Sequence, residues 1–309
     1  MKYDVVIIGG GPAGLTAGLY TSRARLKSLL IEKGLPGGLV TTTEWVENYP
    51  GFEEGIMGVE LAQKMEKQAV RFGLEIIQGT VNSIVLNNNI KEIILEDNQQ
   101  YEAKGIILAT GAHPRPLKIE GEDQFRGRGV SYCATCDGAF YREKRIAVVG
   151  GGDSAVQEAI FLTKFAEVVY VIHRRDALRA EKILQERATS NPKIKFVWNS
   201  VADEIDGNDA GVSVIHIKNV KTGEKSALDV QGVFIYIGYN PNTEFLKGLV
   251  ALNENNYIIT DENMSAAVPG IFAAGDVRNK PLKQIATAVG DGATAAMAAE
   301  KYIEENFLN

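Results

Sequence analysis

Cysteine is almost absent from this chain, with two residues in 309. That scarcity argues against a framework of structural disulfides, and against a zinc site, which needs about four ligands. Histidine is nearly as rare: His113, His173 and His216 show no metal-ligand spacing, and His113 and His216 read as ordinary surface residues. No stretch reaches the roughly 18 apolar residues that span a bilayer. No basic run is present, and the net charge of −6 is mild and dispersed. Membranes and nucleic acid are therefore not expected as partners. No cleavable leader precedes the strand-like run Tyr3-Asp4-Val5-Val6-Ile7-Ile8, so the cytoplasm is the expected location. What remains is an ordinary globular balance, 45% hydrophobic and 23% charged, with material for about two domains.

One pattern is used twice. Asp4 to Gly14 (DVVIIGGGPAG) and Arg145 to Ala155 (RIAVVGGGDSA) are each a β-branched run that meets glycines and enters a helix-forming segment. A second strand-like run follows each helix, at Lys27 to Lys33 and at Glu167 to Arg175. Each unit spans about 30 residues, the length of a strand–helix–strand crossover. The expected fold is α/β, with two Rossmann-like dinucleotide-binding domains. Gly105 to Pro116 and Gly232 to Asn242 each end a buried run and then break at prolines. These breaks predict a discontinuous outer domain, 1–113 plus 242–309, with a second domain, 114–241, inserted through two short hinges. Ile76 to Glu102, with its Asn87-Asn88-Asn89 turn, reads as a hairpin. His216 to Leu228, with Thr222-Gly223, is its counterpart in the inserted domain.

The glycines point to nucleotide phosphates, and the residues that follow separate the two sites. Gly9, Gly11 and Gly14 fit G-x-G-x-x-G between a strand and a helix. Their turn brings a pyrophosphate to the free N–H groups of a helix start. Glu32 ends the next strand at the expected ~20-residue distance, where a carboxylate accepts ribose hydroxyls and repels a 2′-phosphate. The second unit has Gly150, Gly152, Asp153, Ser154 and Ala155. Where the first carries Glu32, it carries His173, Arg174, Arg175 and, four residues on, Arg179. Guanidinium groups there bind a 2′-phosphate through paired N–H donors. FAD in the first site and NADPH in the second is the economical assignment. Ile271 to Val277 supports FAD: a buried run ends at Gly275-Asp276-Val277, placing a carboxylate to hold ribityl hydroxyls ahead of a small-residue helix.

Cys133 and Cys136 stand two residues apart in SYCATCDGAFY, with Asp137 adjoining. Such a pair closes a small ring and supplies one activated thiolate, which suits reversible disulfide exchange. Asp137 is placed to relay a proton to the thiol nearer the flavin. Two cysteines buried as small hydrophobes are the bland alternative.

GGGPAG, TTTEWVENYPG, CATCDGAFY, GGGDSA, HRRDALRA and FAAGDV occur in that order. In these motifs and their spacing the chain closely resembles the bacterial-type, low-molecular-weight thioredoxin reductases over essentially its whole length. The resemblance implies an NADPH-dependent flavoprotein disulfide reductase, a homodimer whose two domains rotate between half-reactions. It implies that Cys136 faces the flavin, that Cys133 exchanges with thioredoxin or a thioredoxin-like protein, and that Asp137 is the acid. It also places Gly37, Gly38 and Asn48 at the flavin. Two departures stand out. Leu39 follows the glycine pair where the family usually has Gln, and Lys283-Gln284-Ile285 replaces Arg-Gln-Ala. Both fall beside the flavin, and both bear on its potential and choice of reductant. Other readings predict different features. The reductase of a peroxide-reducing system usually carries an extra N-terminal thioredoxin-like module. A ferredoxin-dependent reductase needs no cysteine pair, and an NADPH sensor needs no turnover.

Overall fold

The computed structural model describes residues 2–307; Met1, Leu308 and Asn309, at the ends of the expected outer domain, lie outside it. The chain divides into two compact units, Met1–His113 with Asn240–Asn309, and Pro114–Tyr239.

The first unit is built on a seven-stranded sheet. Four strands lie side by side in parallel: Glu75–Gln78, Ser28–Glu32, Lys2–Ile8 and Gln100–Leu108. The short strand Ile271–Ala273 adds to the last of these, also in parallel. Ile90–Leu95 and Val81–Asn87 complete the sheet as an antiparallel hairpin. Val5, Val6 and Ile7 are fully buried because helices cover one face and the C-terminal segment covers the other. A strand buried on both faces needs a continuous apolar run, and that is why this one does not alternate. Helix Pro12–Arg23 packs on the face it shares with Ile285–Phe307. Ala13, Ala17, Ala295, Ala296 and Ala299 lie in their shared core, and such small side chains let two helices approach closely.

The second unit repeats the scheme with a five-stranded parallel sheet in the order Val130–Ser131, Gly232–Tyr236, Arg145–Gly150, Val168–Ile172, Ile194–Val197. A three-stranded antiparallel sheet, Ser200–Asn208, Gly211–Asn219 and Lys225–Asp229, packs beside it. Among the described residues no helix is long and apolar enough to cross a membrane. Among the same residues no cluster of His, Cys, Asp or Glu could hold a metal.

One residue departs from its sequence reading, and another is buried in a way the sequence did not mark. His113 is half-buried, with Nδ1 2.7 Å from Asn242 Oδ1, and Asn242 Nδ2 donates to the Thr110 carbonyl at 2.7 Å. His113 is thus part of a polar knot, not a free surface side chain. Lys91 is 1% exposed. Its ammonium donates to the Asn89 and Lys104 carbonyls at 3.1 and 2.8 Å and to the Tyr302 hydroxyl at 3.1 Å, tying the hairpin to the C-terminal helix. Burial lowers its pKa from 10.5 to about 8. The unfolded chain therefore holds this proton more tightly, and stability rises with pH between those two values. Relative to Lys91→Met, the native protein gains about 2 kcal/mol between pH 7.5 and 10. Chemical denaturation of both proteins at the two pH values checks this; a difference that stays flat with pH contradicts it.

Candidate cofactor and disulfide sites

In the first unit the chain leaves strand Lys2–Ile8 through Gly9, whose φ of +104° favours glycine. A Cβ there would stand 2.4 Å from the Ala109 carbonyl oxygen, and one on Gly14 would stand 1.9 Å from Gly9 O. These glycines let strand, turn and helix close on one another. Gly11 differs: it has ordinary φ, and a Cβ would meet nothing within 4 Å. It caps helix Pro12–Arg23, and no cap side chain takes up the N–H groups of the first turn. That is a cradle for an anion.

Glu32 is fixed beside the cradle. Its carboxylate accepts the Gly10 N–H at 2.6 Å and the Gly34 N–H at 2.9 Å. Lone pairs remain on both oxygens for ribose hydroxyls. The loop carrying Gly37, Gly38 and Leu39 lies against the same turn, since Gly37 N–H donates to Gly10 O at 2.7 Å. Asn48 Nδ2 donates to Gln284 Oε1 at 3.1 Å, joining two candidates far apart in sequence.

At Asp276 the structure adds what the sequence did not reveal. Burial raises the carboxyl's pKa, and Oδ1 has no hydrogen-bond donor; Lys280 Nζ stands off at 3.7 Å. A buried acceptor without a donor is costly, and the hydroxyls of a ribityl chain are donors of the required kind. Val277, fully buried, follows in the same short turn, Gly275–Val277. Asp291 organises the surroundings, accepting from Gly275 N–H at 3.0 Å, Lys280 Nζ at 2.9 Å and Arg278 Nη1 at 2.9 Å. Its only sequence signal is that it stands as the one acid in the small-residue first half of the last helix. Lys283 Nζ lies 3.2 Å from the Tyr257 ring centre and donates to Asp276 O at 3.2 Å; burial lowers its pKa to about 8. Ile285 opens the last helix. Orphaned carboxylate, open cradle and anchored Glu32 together fit FAD.

In the second unit Gly152 caps helix Asp153–Leu162, again with no side-chain hydrogen bond. Ala155 takes the third-glycine position and is fully buried. Asp153 and Ser154 open the helix, but Asp153 Oδ1 is occupied by the Glu181 N–H at 2.7 Å. With Arg179 N–H on Gly151 O at 2.7 Å, this bond pins the arginine loop to the glycine turn. Arg179 Nη2 lies 4.0 Å from where a Cβ on Gly152 would stand. Arg174, Arg175 and Arg179 are exposed, and a cluster of exposed guanidinium groups beside an uncapped helix start fits the extra phosphate of NADPH. His173 does not join them. It is 5% exposed, its ring stands 2.3 Å from where a Gly151 Cβ would be, and its Nε2 has no partner. Burial, then the neighbouring arginines, lowers its pKa, and its ring packs beneath the glycine turn, apart from the exposed guanidinium groups.

Cys133 and Cys136 are bonded, S–S 2.05 Å. The pair follows strand Val130–Ser131 in the turn Ala134–Asp137. Cys136 N–H donates to Cys133 Sγ at 3.2 Å, and Cys136 is the more exposed of the two. The amide donor singles out the Cys133 sulfur as the one the turn holds. Tyr236 Oη accepts the Ala134 N–H at 2.8 Å. Tyr132 donates to buried Glu122, which also accepts the Leu117 and Lys118 N–H groups. Ser131 Oγ lies 2.7 Å from Asp137 Oδ2. Sequence reading missed Tyr236, Glu122 and Ser131, because no local motif marks a partner supplied from another strand.

The pyridine nucleotide-disulphide oxidoreductase family model matches residues 3–292. Thioredoxin reductase of Listeria innocua is 49% identical over 303 residues, covering 98% of this chain and 94% of that protein. The crystal structure of Lactococcus lactis thioredoxin reductase matches with a TM-score of 0.96 at 51% identity, covering 98% of this chain and 99% of that one. That of Streptococcus pyogenes thioredoxin reductase, at 52% identity and the same coverage, matches with a TM-score of 0.66.

Proposed function

This chain belongs to the pyridine nucleotide-disulphide oxidoreductases and, among them, to the thioredoxin reductases, and from that premise we propose how its own residues divide the work. The activity is NADPH-dependent reduction of the thioredoxin disulfide, with FAD and NADPH as cofactors. Bound FAD would supply the two-electron link between NADPH and the disulfide.

One observation carries the division of labour. Within a single compact unit the Cys133–Cys136 turn and the second glycine turn leave the same sheet, with strand Gly232–Tyr236 between them. That strand serves both: the Tyr236 hydroxyl holds the cysteine turn, and its carbonyl oxygen lies 2.4 Å from where a Gly150 Cβ would stand. The outer unit, with Gly9, Gly11, Gly14, Glu32, Asn48 and Asp276, then holds FAD, and the inserted unit holds NADPH. Nicotinamide and disulfide share one unit and need the same flavin, so the half-reactions alternate by rotation of one unit against the other. In support, two family structures of nearly equal identity to this chain, 51% and 52%, match it with very different TM-scores, 0.96 and 0.66.

The residues act as follows. Glu32 accepts ribose hydroxyls and disfavours a 2′-phosphate at the flavin site. Arg174, Arg175 and Arg179 bind that phosphate at the NADPH site, and Asp153 keeps Arg179 in place. Cys133 is the thiolate that attacks the partner disulfide, Cys136 resolves the mixed disulfide, and Asp137 moves the proton. The working form is a cytoplasmic homodimer.

Steady-state kinetics with oxidised thioredoxin test the cofactor assignment. NADPH is preferred over NADH, and replacing Arg174 and Arg175 together with alanine raises the KM for NADPH about tenfold or more per arginine while sparing NADH. Equal kcat/KM for the two nucleotides in the unmutated protein contradicts the reading.

A further inference from the structure

Asp137 follows directly on Cys136, and its carboxylate is met by a side chain from outside the turn. Ser131 Oγ stands 2.7 Å from Asp137 Oδ2 and 3.2 Å from the Cys133 carbonyl oxygen, and the Cys133 N–H donates back to the same Oγ at 3.0 Å. Ser131 is 4% exposed and paired in register with Phe234, so the sheet fixes this hydroxyl.

A serine hydroxyl has one hydrogen and two lone pairs. One lone pair takes the Cys133 N–H. With Asp137 ionised, the hydrogen points at Oδ2 in a charge-assisted bond. With Asp137 protonated, the carboxyl O–H donates to the second lone pair, and the hydroxyl hydrogen turns to the Cys133 carbonyl. In both states every hydrogen of the set has an acceptor, and no heavy atom moves between them.

We propose that Ser131 is a positioning residue of the dithiol chemistry, a hydroxyl toggle that keeps Asp137 in register with the cysteine turn while its proton comes and goes. The proposal rests on reading Asp137 as the acid. In the exchange, Cys133 thiolate attacks one sulfur of the partner disulfide. The partner S–S bond breaks as the mixed disulfide forms, and the second partner sulfur leaves as thiolate. Asp137 takes the proton of Cys136 and passes it to that sulfur. Cys136 thiolate then attacks Cys133 Sγ, re-forms the Cys133–Cys136 bond and releases the first partner sulfur, which is protonated by solvent. Two electrons pass from the pair to the partner.

The test uses the FAD-loaded enzyme with oxidised thioredoxin and the variants Ser131→Ala, Asp137→Asn and their double. Ser131→Ala slows thioredoxin turnover about 10- to 100-fold, the worth of one hydrogen bond to a charged group. FAD content and the rate of flavin reduction by NADPH stay at wild-type values. Asp137→Asn slows turnover at least as much, and the double variant is no slower than Asp137→Asn alone, because the two side chains act as one unit. Ser131→Thr keeps near-normal turnover, whereas Ser131→Val, of the same shape without the hydroxyl, does not. This pair decides the matter even if the alanine variant folds poorly. Normal turnover in Ser131→Ala beside a slow Asp137→Asn overturns the role of Ser131 alone, as do fully multiplicative losses in the double variant or equal rates for threonine and valine. Normal turnover in Asp137→Asn overturns the acid assignment and the toggle with it.

Discussion

Replacing Cys133 or Cys136 with serine takes thioredoxin turnover below about 1% of wild type, because a reacting group that works as part of a unit has no substitute when it is lost. FAD stays bound, since neither cysteine lies in the unit that carries Gly9, Gly11, Gly14 and Asp276. Flavin reduction by NADPH also persists, for Arg174, Arg175 and Arg179 are untouched. The two variants differ in one respect. Cys136→Ser retains Cys133, whose sulfur accepts the residue-136 N–H at 3.2 Å, and so it accumulates a mixed disulfide with thioredoxin; Cys133→Ser does not. Non-reducing gels resolve the adduct. Thioredoxin turnover above that 1% level in either variant, or a stable adduct formed only through Cys136, contradicts the assignment.

The second large effect separates two glycines of the first turn. Gly14→Ala places a Cβ 1.9 Å from Gly9 O, a backbone atom that cannot swing away. Relieving that clash costs roughly 1–3 kcal/mol or more and distorts the turn, and the purified protein carries less than a tenth of the wild-type FAD. Gly11→Ala meets nothing within 4 Å and has ordinary φ. The apoprotein therefore keeps its stability to within about 0.5 kcal/mol. The methyl group still intrudes where the diphosphate sits, so FAD content falls in this variant too. Flavin absorbance per protein and thermal unfolding of the apo forms read the two effects separately. Full FAD occupancy in Gly14→Ala, or in Gly11→Ala, contradicts the placement of the phosphates. The inserted unit gives the contrast: Ala155 occupies the third-glycine position there and is fully buried without such a collision.

The repeated strand–helix–strand units were legible because both leading strands end in an unbroken apolar run, Val5 to Ile8 and Ile146 to Val149, and both then meet glycines. The disulfide pair was legible because there are no other cysteines. The burial of His173 was not legible: it adjoins Arg174 and Arg175 in sequence, but it lies at the strand end, where side chains alternate across the sheet. Its ring therefore turns under Gly151 while the arginines reach solvent. Ser131, Tyr236 and Glu122 were not legible at all, and Asp291 only as an isolated acid, because each acts through a partner that only the folded sheet or helix brings near. Asp276 was found as a strand-end carboxylate, but only the structure reveals that its Oδ1 is buried without a donor.

The central claim is that electrons from NADPH reach thioredoxin through the Cys133–Cys136 bond. Thiol labelling of the FAD-loaded enzyme, read by mass spectrometry, tests it most directly. The account predicts that anaerobic NADPH makes Cys133 and Cys136 alkylable together, and that oxidised thioredoxin, added next, abolishes the labelling while its own thiols appear in equal amount. Thioredoxin reduced while Cys133 and Cys136 stay unlabelled throughout would contradict it.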